Sequence, residues 1–190
     1  MELAQAINSI IKDRRSIFPP MYNGETIDHS IIEQILENAL WAPTHKKTEP
    51  WSFKVYSGES LQLLSEYSAE WYKANTPEEK FSEMKYQKTK KKALQSSHVI
   101  AIIMNRHEDQ LPEWEEVAAV ACAVQNMWLT ASANGIGAYW SSPKYAIKGD
   151  AFFNLEPHQK CLGLLYLGIP VDGLQLSAER TPLDQKVEWI

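Results

Sequence analysis

Cysteine is scarce in this chain. Cys122 and Cys161 stand alone and far apart, with no His or Cys neighbour at metal-ligand spacing. That excludes a disulfide framework and a Cys-rich zinc site, and both are expected to be reduced core thiols. Long apolar runs are absent too. None reaches the roughly 18–20 residues needed to span a bilayer, so no membrane segment is expected. The start, "MELAQAINSIIKDRRS", lacks the plan of a secretory leader: its apolar residues are spaced, and charge follows them. A cytoplasmic location is the expectation. Positive charge is in deficit, with 19 Lys+Arg against 24 Asp+Glu, a net −5. Phosphate-backbone binding needs a basic surface, so general nucleic-acid binding is excluded. The familiar catalytic signatures are missing as well: no G-x-S-x-G elbow, no Walker A loop, no H-E-x-x-H helix. "GIGAYW" is no dinucleotide fingerprint, because it follows a helical pattern rather than a strand.

What is present fits one domain over residues 1–190, since that length allows a substantial core. Leu3, Ile7, Ile10 and Ile11 predict a helix over 2–13. Pro19-Pro20 forbid further helix. Asp28 is placed to cap a second helix, which should end before Pro43. "WSFKVYS" alternates and reads as a strand. Helices are expected over 60–74 and 77–95, the second capped by Thr76 with Pro77 at its first position. "HVIAIIMN" has the unbroken apolar character of a central strand. Residues 113–134 form the longest helical pattern, apolar nearly all round in the middle and therefore expected to lie buried. Asn134-Gly135 should end it. "IGAYWSS" is a short strand, a short helix follows near 144–153, and "CLGLLYLGIP" is a last core strand. The stretch from about 171 to 190 is too polar and short to hold a core alone. Strands separated by helices predict a layered α+β or α/β domain.

Few side chains carry chemistry by pattern alone. The five histidines are scattered, and His98 opens a core strand as a structural residue. Glu113, Glu115 and Glu116 suit the positive end of a helix dipole. Arg14, Arg15 and Ser16 offer two guanidiniums and a hydroxyl, donors suited to a phosphate. Equally, the arginines can cap the first helix. Arg180 could bring a second phosphate contact from far away in sequence. "KYQKTKKKALQ" is a local basic run, read either as a solvated helix face or as a rim that draws in an anionic ligand.

The motifs taken together, in order, resemble the nitroreductase superfamily of flavin enzymes, its compact branch most closely. "RRS" is followed by "APTHKKTEPWSF", then "EEVAAVACAVQNMWLTASANGIGAYWSS", "GLLYLGIP" and "ERTPLDQKV". The resemblance implies an α+β fold with a mixed, mostly antiparallel sheet flanked by helices. It implies an intertwined homodimer with FMN at the subunit interface and the 171–190 extension wrapping the partner. Arg14, Arg15, Ser16 and Arg180 then correspond to contacts of the FMN phosphate and ribityl chain. Trp41 and His45 correspond to positions reaching the flavin from the partner, and Lys47 to one beside the ring. Trp140, Ser141 and Ser142 correspond to the strand end whose amides face the ring. Lys47 and Glu49 depart from the family's Asn and Gln, and Trp41 and Ser141 stand where close relatives can carry Arg. The implied activity is ping-pong hydride transfer from NADH or NADPH, through FMN, to a nitroaromatic, quinone or similar small acceptor. The flavin carries the hydride, so no catalytic side chain is expected. Trp71, Tyr72 and Phe81 are read as core or as a lid over the ring. An FMN-binding storage or sensing protein, or a specialised dehydrogenase or dehalogenase on the same fold, are the alternatives.

Overall fold

The computed structural model describes residues 2–190. Helix α1 (Leu3–Asp13) leads into an extended segment and a short turn at Pro19–Met21. Helix α2 (His29–Ala39) starts at Asp28, whose carboxylate accepts from the Ser30 amide. Strand β1 (Trp51–Ser57), helix α3 (Glu59–Ala74), helix α4 (Glu83–Leu94) and strand β2 (His98–Asn105) follow. Then come helix α5 (Glu113–Ala133), strand β3 (Gly137–Ser141), two one-turn helices α6 (Lys144–Ile147) and α7 (Asp150–Phe153), and strand β4 (Gln159–Gly168).

The strands form one sheet in the order β1-β2-β4-β3, antiparallel at every pairing. The expected mixed sheet is corrected here: parallel pairing among the described residues is confined to an isolated bridge between Ser16 and Ala138. β2 and β4 lie in the middle and are buried on both faces. Successive side chains of a strand point to opposite faces. Ile100, Ile102 and Met104 therefore pack with Leu165 and Leu167 against α2 and α5. Val99, Ala101 and Ile103 pack with Leu164 and Tyr166 against α3, α4, α6 and α7. Each fully buried Leu or Ile contributes about 1.5–3 kcal/mol as an upper bound, so these two layers hold the sheet.

Four expectations are corrected. Ser82, not Thr76, caps α4, accepting from the Lys85 amide. Glu78–Lys80 form a separate turn, and Phe81 stacks on Tyr72 with ring centroids 5.7 Å apart. The Tyr72 hydroxyl accepts from the Ser82 amide, so a tertiary anchor sets the helix start in place of the local proline signal. The 144–153 helix is broken in two at Gly149. Cys161 is buried, but Cys122 is exposed. It sits on an outer face of α5, with Trp114 at 70% and Val117 at 37% exposure. α5 is thus buried on one side only within the chain. Its end matches the sequence reading, with Asn134 as cap and Gly135 at φ +70°.

Past Pro170 the chain runs over the surface. Leu174 and Leu176 are half-buried, the residues after them are exposed, and Trp189 is 89% exposed.

Candidate functional site at the edge of the sheet

Arg14 ends α1: its amide still donates to Ile10, but its own backbone leaves the helical region. The next residues run extended along β3, where Ser16 bridges Ala138 and the Ile17 amide donates to the Ala138 carbonyl at 3.0 Å. "RRS" is therefore laid on a sheet edge. Arg15 turns back and donates to the carbonyls of Lys12 at 2.6 Å and Leu176 at 3.3 Å. It closes the helix C-terminus and clips the tail, as the capping reading has it. Arg14 does neither. Its guanidinium lies over the Trp128 ring, 4.6 Å from the centroid. Its pKa is held below the ordinary arginine value, first by burial, then by the charges of Arg180 and Arg15. The polypeptide's two ends thus meet here. Arg180 donates to the carbonyl of Glu179. Among the described residues, none of the three guanidiniums has a carboxylate within ion-pair distance.

The other wall is the end of β3. This strand pairs with β4 on one side only, so the outer edge from Tyr139 to Ser141 lacks a strand partner. Gly163 of β4 lets that edge approach. It sits at φ +130°, beside a register shift, and a Cβ there would fall 2.4 Å from the Ser141 carbonyl oxygen. The Trp140 indole nitrogen is buried without a hydrogen-bond partner. Behind Ser141 stands Lys92, donating to the Ser141 hydroxyl at 3.2 Å. Its ammonium lies 4.7 Å from the Tyr139 ring centroid and 4.4 Å from that of Tyr166. Burial, then the neighbouring charge of Lys88, lowers its pKa to about 8. Three guanidiniums next to the Ser16 bridge at one end, with an amide edge and a lysine at the other, suit an elongated ligand. Its phosphoryl group would lie at the first end, and a flat ring with carbonyl and nitrogen acceptors at the second.

The "APTHKKTEPW" loop forms a different region. Lys46, Lys47 and Glu49 all adopt positive φ, at 52°, 55° and 43°. Non-glycine residues held there are strained and need a determined surrounding. Thr44 supplies some of it, its hydroxyl meeting that of Thr48 and accepting from the Glu49 amide. Pro50 and Trp51 are buried, and the Pro50 carbonyl accepts from the Asn105 amide at 2.7 Å. His45 Nδ1 lies 2.5 Å from Glu115 Oε2, at the start of α5. Trp41 is 81% exposed, and Lys47 is exposed too. Glu115 and Trp128 are on the same helix, which at its standard rise separates them by about 20 Å. Within one chain, then, Arg14, Arg15, Ser16 and Arg180 gather near Trp128. Trp140, Ser141 and Ser142 continue that wall along β3. His45, with Lys47 two residues on, lies elsewhere, at the Glu115 end of α5, and Trp41 follows Asn38, which bonds Asn126 and Thr130 of that helix.

The sequence reading missed Trp128, took Lys92 only as part of a basic run, and took Glu116 only as a partner of the helix dipole. Trp128 and Lys92 had no signal singling them out. Glu116 did: it is in helical register with Val120, Ala123 and Met127, the inward face. It is wholly buried, ion-paired with Arg106, and accepts from the His107 amide at 2.9 Å.

Comparison with known proteins agrees with this architecture. A family model described as the nitroreductase family matches residues 11–169. YfhC of Bacillus subtilis, provisionally named an NAD(P)H nitroreductase, is 28% identical over 93% of this chain and 90% of its own length. A nitroreductase-like family protein from Bacillus cereus superposes with a TM-score of 0.82 at 28% identity, covering 100% of this chain and 98% of that one. The FMN-dependent nitroreductase NfnB of Mycobacterium smegmatis, solved with NADPH, superposes at 0.80 with 17% identity over the whole of both chains, a likeness of fold.

Proposed function

The chain belongs to the nitroreductase family, and from that premise we propose that it is an FMN-dependent oxidoreductase that draws on NAD(P)H and works as a homodimer. The observation that carries this reading is the convergence of Arg14, Arg15 and Arg180 beside Ser16 without a counter-carboxylate. Three cations held together repel one another, and a phosphate dianion is the ligand that relieves them. Arg14 and Arg180 grip the FMN phosphate, and Ser16 adds a hydroxyl. The end of β3, from Trp140 to Ser142, presents backbone to the ring.

FMN, when bound, supplies the redox chemistry, accepting a hydride from NAD(P)H and returning two electrons to a nitroaromatic, quinone or similar small acceptor. The protein's own part is to hold and orient, so no acid or base from the side chains is required. Lys92, behind Ser141, places positive charge near the ring, where it favours negative charge on the reduced cofactor.

The second copy is inferred from the distance along α5. A two-fold axis across this helix runs its mate antiparallel, which brings the mate's Glu115 end beside Trp128. His45, Lys47 and Trp41 of one copy then complete the Arg14 wall of the other. The exposed apolar face of α5 and the tail from 171 to 190, ending in an exposed Trp189, are what such a partner would cover.

Anaerobic titration of the purified protein with NADH, and separately with NADPH, tests the activity. The flavin absorbance is expected to bleach and to return on adding a quinone. A yellow protein that neither nucleotide bleaches would be a flavin carrier or sensor instead.

A further inference from the structure

Helix α4 carries two lysines that the flavin reading does not use, Lys85 and Lys88, beside Lys92, which it places near the ring. Lys85, Lys88 and Lys92, spaced i, i+3, i+7, share one face. That face lines a cavity of about 610 Å³, whose other walls include Met84, Pro143 and Tyr145. A second cavity of about 440 Å³ shares Lys85, Pro143 and Tyr145 with it and reaches Ser142 and Trp71. The two together run from open solvent to the end of β3.

None of these lysines has a carboxylate within ion-pair distance among the described residues. The nearby acids are engaged elsewhere: Glu83 accepts from Gln87, and Glu70 from Tyr86. A solvated lysine face would point its ammoniums at water. Lys92 instead turns inward, half-buried between two tyrosine rings, with one neutral hydroxyl as its hydrogen-bond partner. An ammonium has three donors; the two rings attract the charge, but one hydroxyl leaves donors that an anion would take up. The remaining lining of the first cavity is Met84, Pro143 and Tyr145 with the hydroxyl residues Ser82 and Thr89, and the second adds Lys144. The volume lies in the range of small-molecule sites. Lysines on α4 facing Pro143 and the Tyr145 ring, with Met84 beside them, describe a site for an aromatic acid.

We propose that this cavity is the acceptor's subsite and that it selects acceptors bearing a carboxylate. The ring lies on Met84, Pro143 and Tyr145, and the carboxylate sits among Lys85, Lys88 and Lys92. The proposal rests on the flavin reading, because electrons must come from a ring at Ser141 and Ser142. For a nitro acceptor the first reduction balances as one nitro group, one NAD(P)H and one solvent proton giving a nitroso group, NAD(P)+ and water.

The probes are 4-nitrobenzoate and its neutral methyl ester, offered to FMN-loaded protein by calorimetry and in steady-state assays. The acid is expected to bind about tenfold or more tighter, the size of one or two charge-assisted contacts. Lys85→Glu/Lys88→Glu should reverse that preference, and Lys85→Gln/Lys88→Gln should abolish it. FMN content should stay within about twofold in both variants, so that a lost acid preference is not a lost flavin. An acid bound no tighter than the ester overturns the proposal, as does a preference that survives charge reversal. A variant that loses NADPH affinity and keeps the acid preference also overturns it, and would assign the lysines to the cosubstrate's 2′-phosphate. Calorimetry needs no turnover. Lysine-dependent acid binding without reduction would therefore spare the subsite and sink the enzyme reading, and ester reduction without acid preference would do the reverse.

Discussion

Arg106 and Arg14 both lie beside α5, one near each end of the helix, and their surroundings could hardly differ more. Arg106 is almost fully buried and meets Glu116, itself wholly inaccessible, which also holds His107 through its amide and ring. That centre is closed, its charge answered within the chain. Arg14 lies over an indole ring and feels two further guanidiniums, and no carboxylate among the described residues lies within ion-pair distance to answer them. A fold tolerates the second arrangement when something outside the chain supplies the missing charge. The contrast separates an arginine that holds the fold from one that awaits an anion.

The sharpest way to break the comparison is Glu116→Gln. It leaves Arg106 buried beside a neutral group, and losing half of such a pair costs about 3–5 kcal/mol. A fall in Tm of roughly 10 °C is expected for a chain of this size, with FMN affinity of the folded protein unchanged. If Arg106 were instead a ligand group, Tm would hold and FMN would be lost. Arg14→Ala should behave in the opposite way. FMN affinity is expected to drop by about 1.5–3 kcal/mol, roughly ten- to a hundredfold, while thermal stability without FMN stays level or rises as repulsion is relieved. Comparing melting curves with flavin titrations of the two variants decides it.

Lys92 sharpens the same point through pH. Its folded pKa, about 8, lies below the ordinary lysine value of about 10.4. The unfolded chain therefore holds the proton over a window in which the folded one has released it, and stability contributed by this group rises with pH between those values. The groups facing the ammonium are Lys88 on its own helix, Ser141 and Tyr139 on β3, and Tyr166 on β4. In Lys92→Met that rise should vanish from denaturation curves taken at pH 8 and pH 10. The smallest effect is expected for His45→Ala. The ring is largely exposed, and its contact with Glu115 should contribute less than about 1 kcal/mol to stability.

How far the sequence led depended on how local the cause was. α1, α2, β1, β2 and α5 were legible because periodicity and caps act within a few residues, as Asp28 and Asn134-Gly135 did. The start of α4 was not, because the Tyr72 ring and hydroxyl, ten residues upstream, hold Phe81 and Ser82 in place. In the site, Arg14 and Arg15 looked alike in sequence. Only the extended exit from α1 sends one guanidinium back to the helix carbonyls and the other over Trp128. Arg180's approach to Arg14 depends on the whole tail path, and only the resemblance of "ERTPLDQKV" to the family's tail pointed to it. Cys122, expected in the core, is exposed because α5 turns its outer apolar face away from the sheet. A mate across that face would return the residue to a buried setting.

The central claim is that the two ends of the chain hold a phosphate, and riboflavin, which is FMN without its phosphate, tests it directly. Affinities for FMN and riboflavin should be measured side by side for the native protein and for Arg14→Ala/Arg180→Ala. The account predicts that the native protein prefers FMN by on the order of a hundredfold and that the double variant nearly loses the preference. Equal affinity for the two flavins in the native protein, or a preference untouched by removing both guanidiniums, would contradict it.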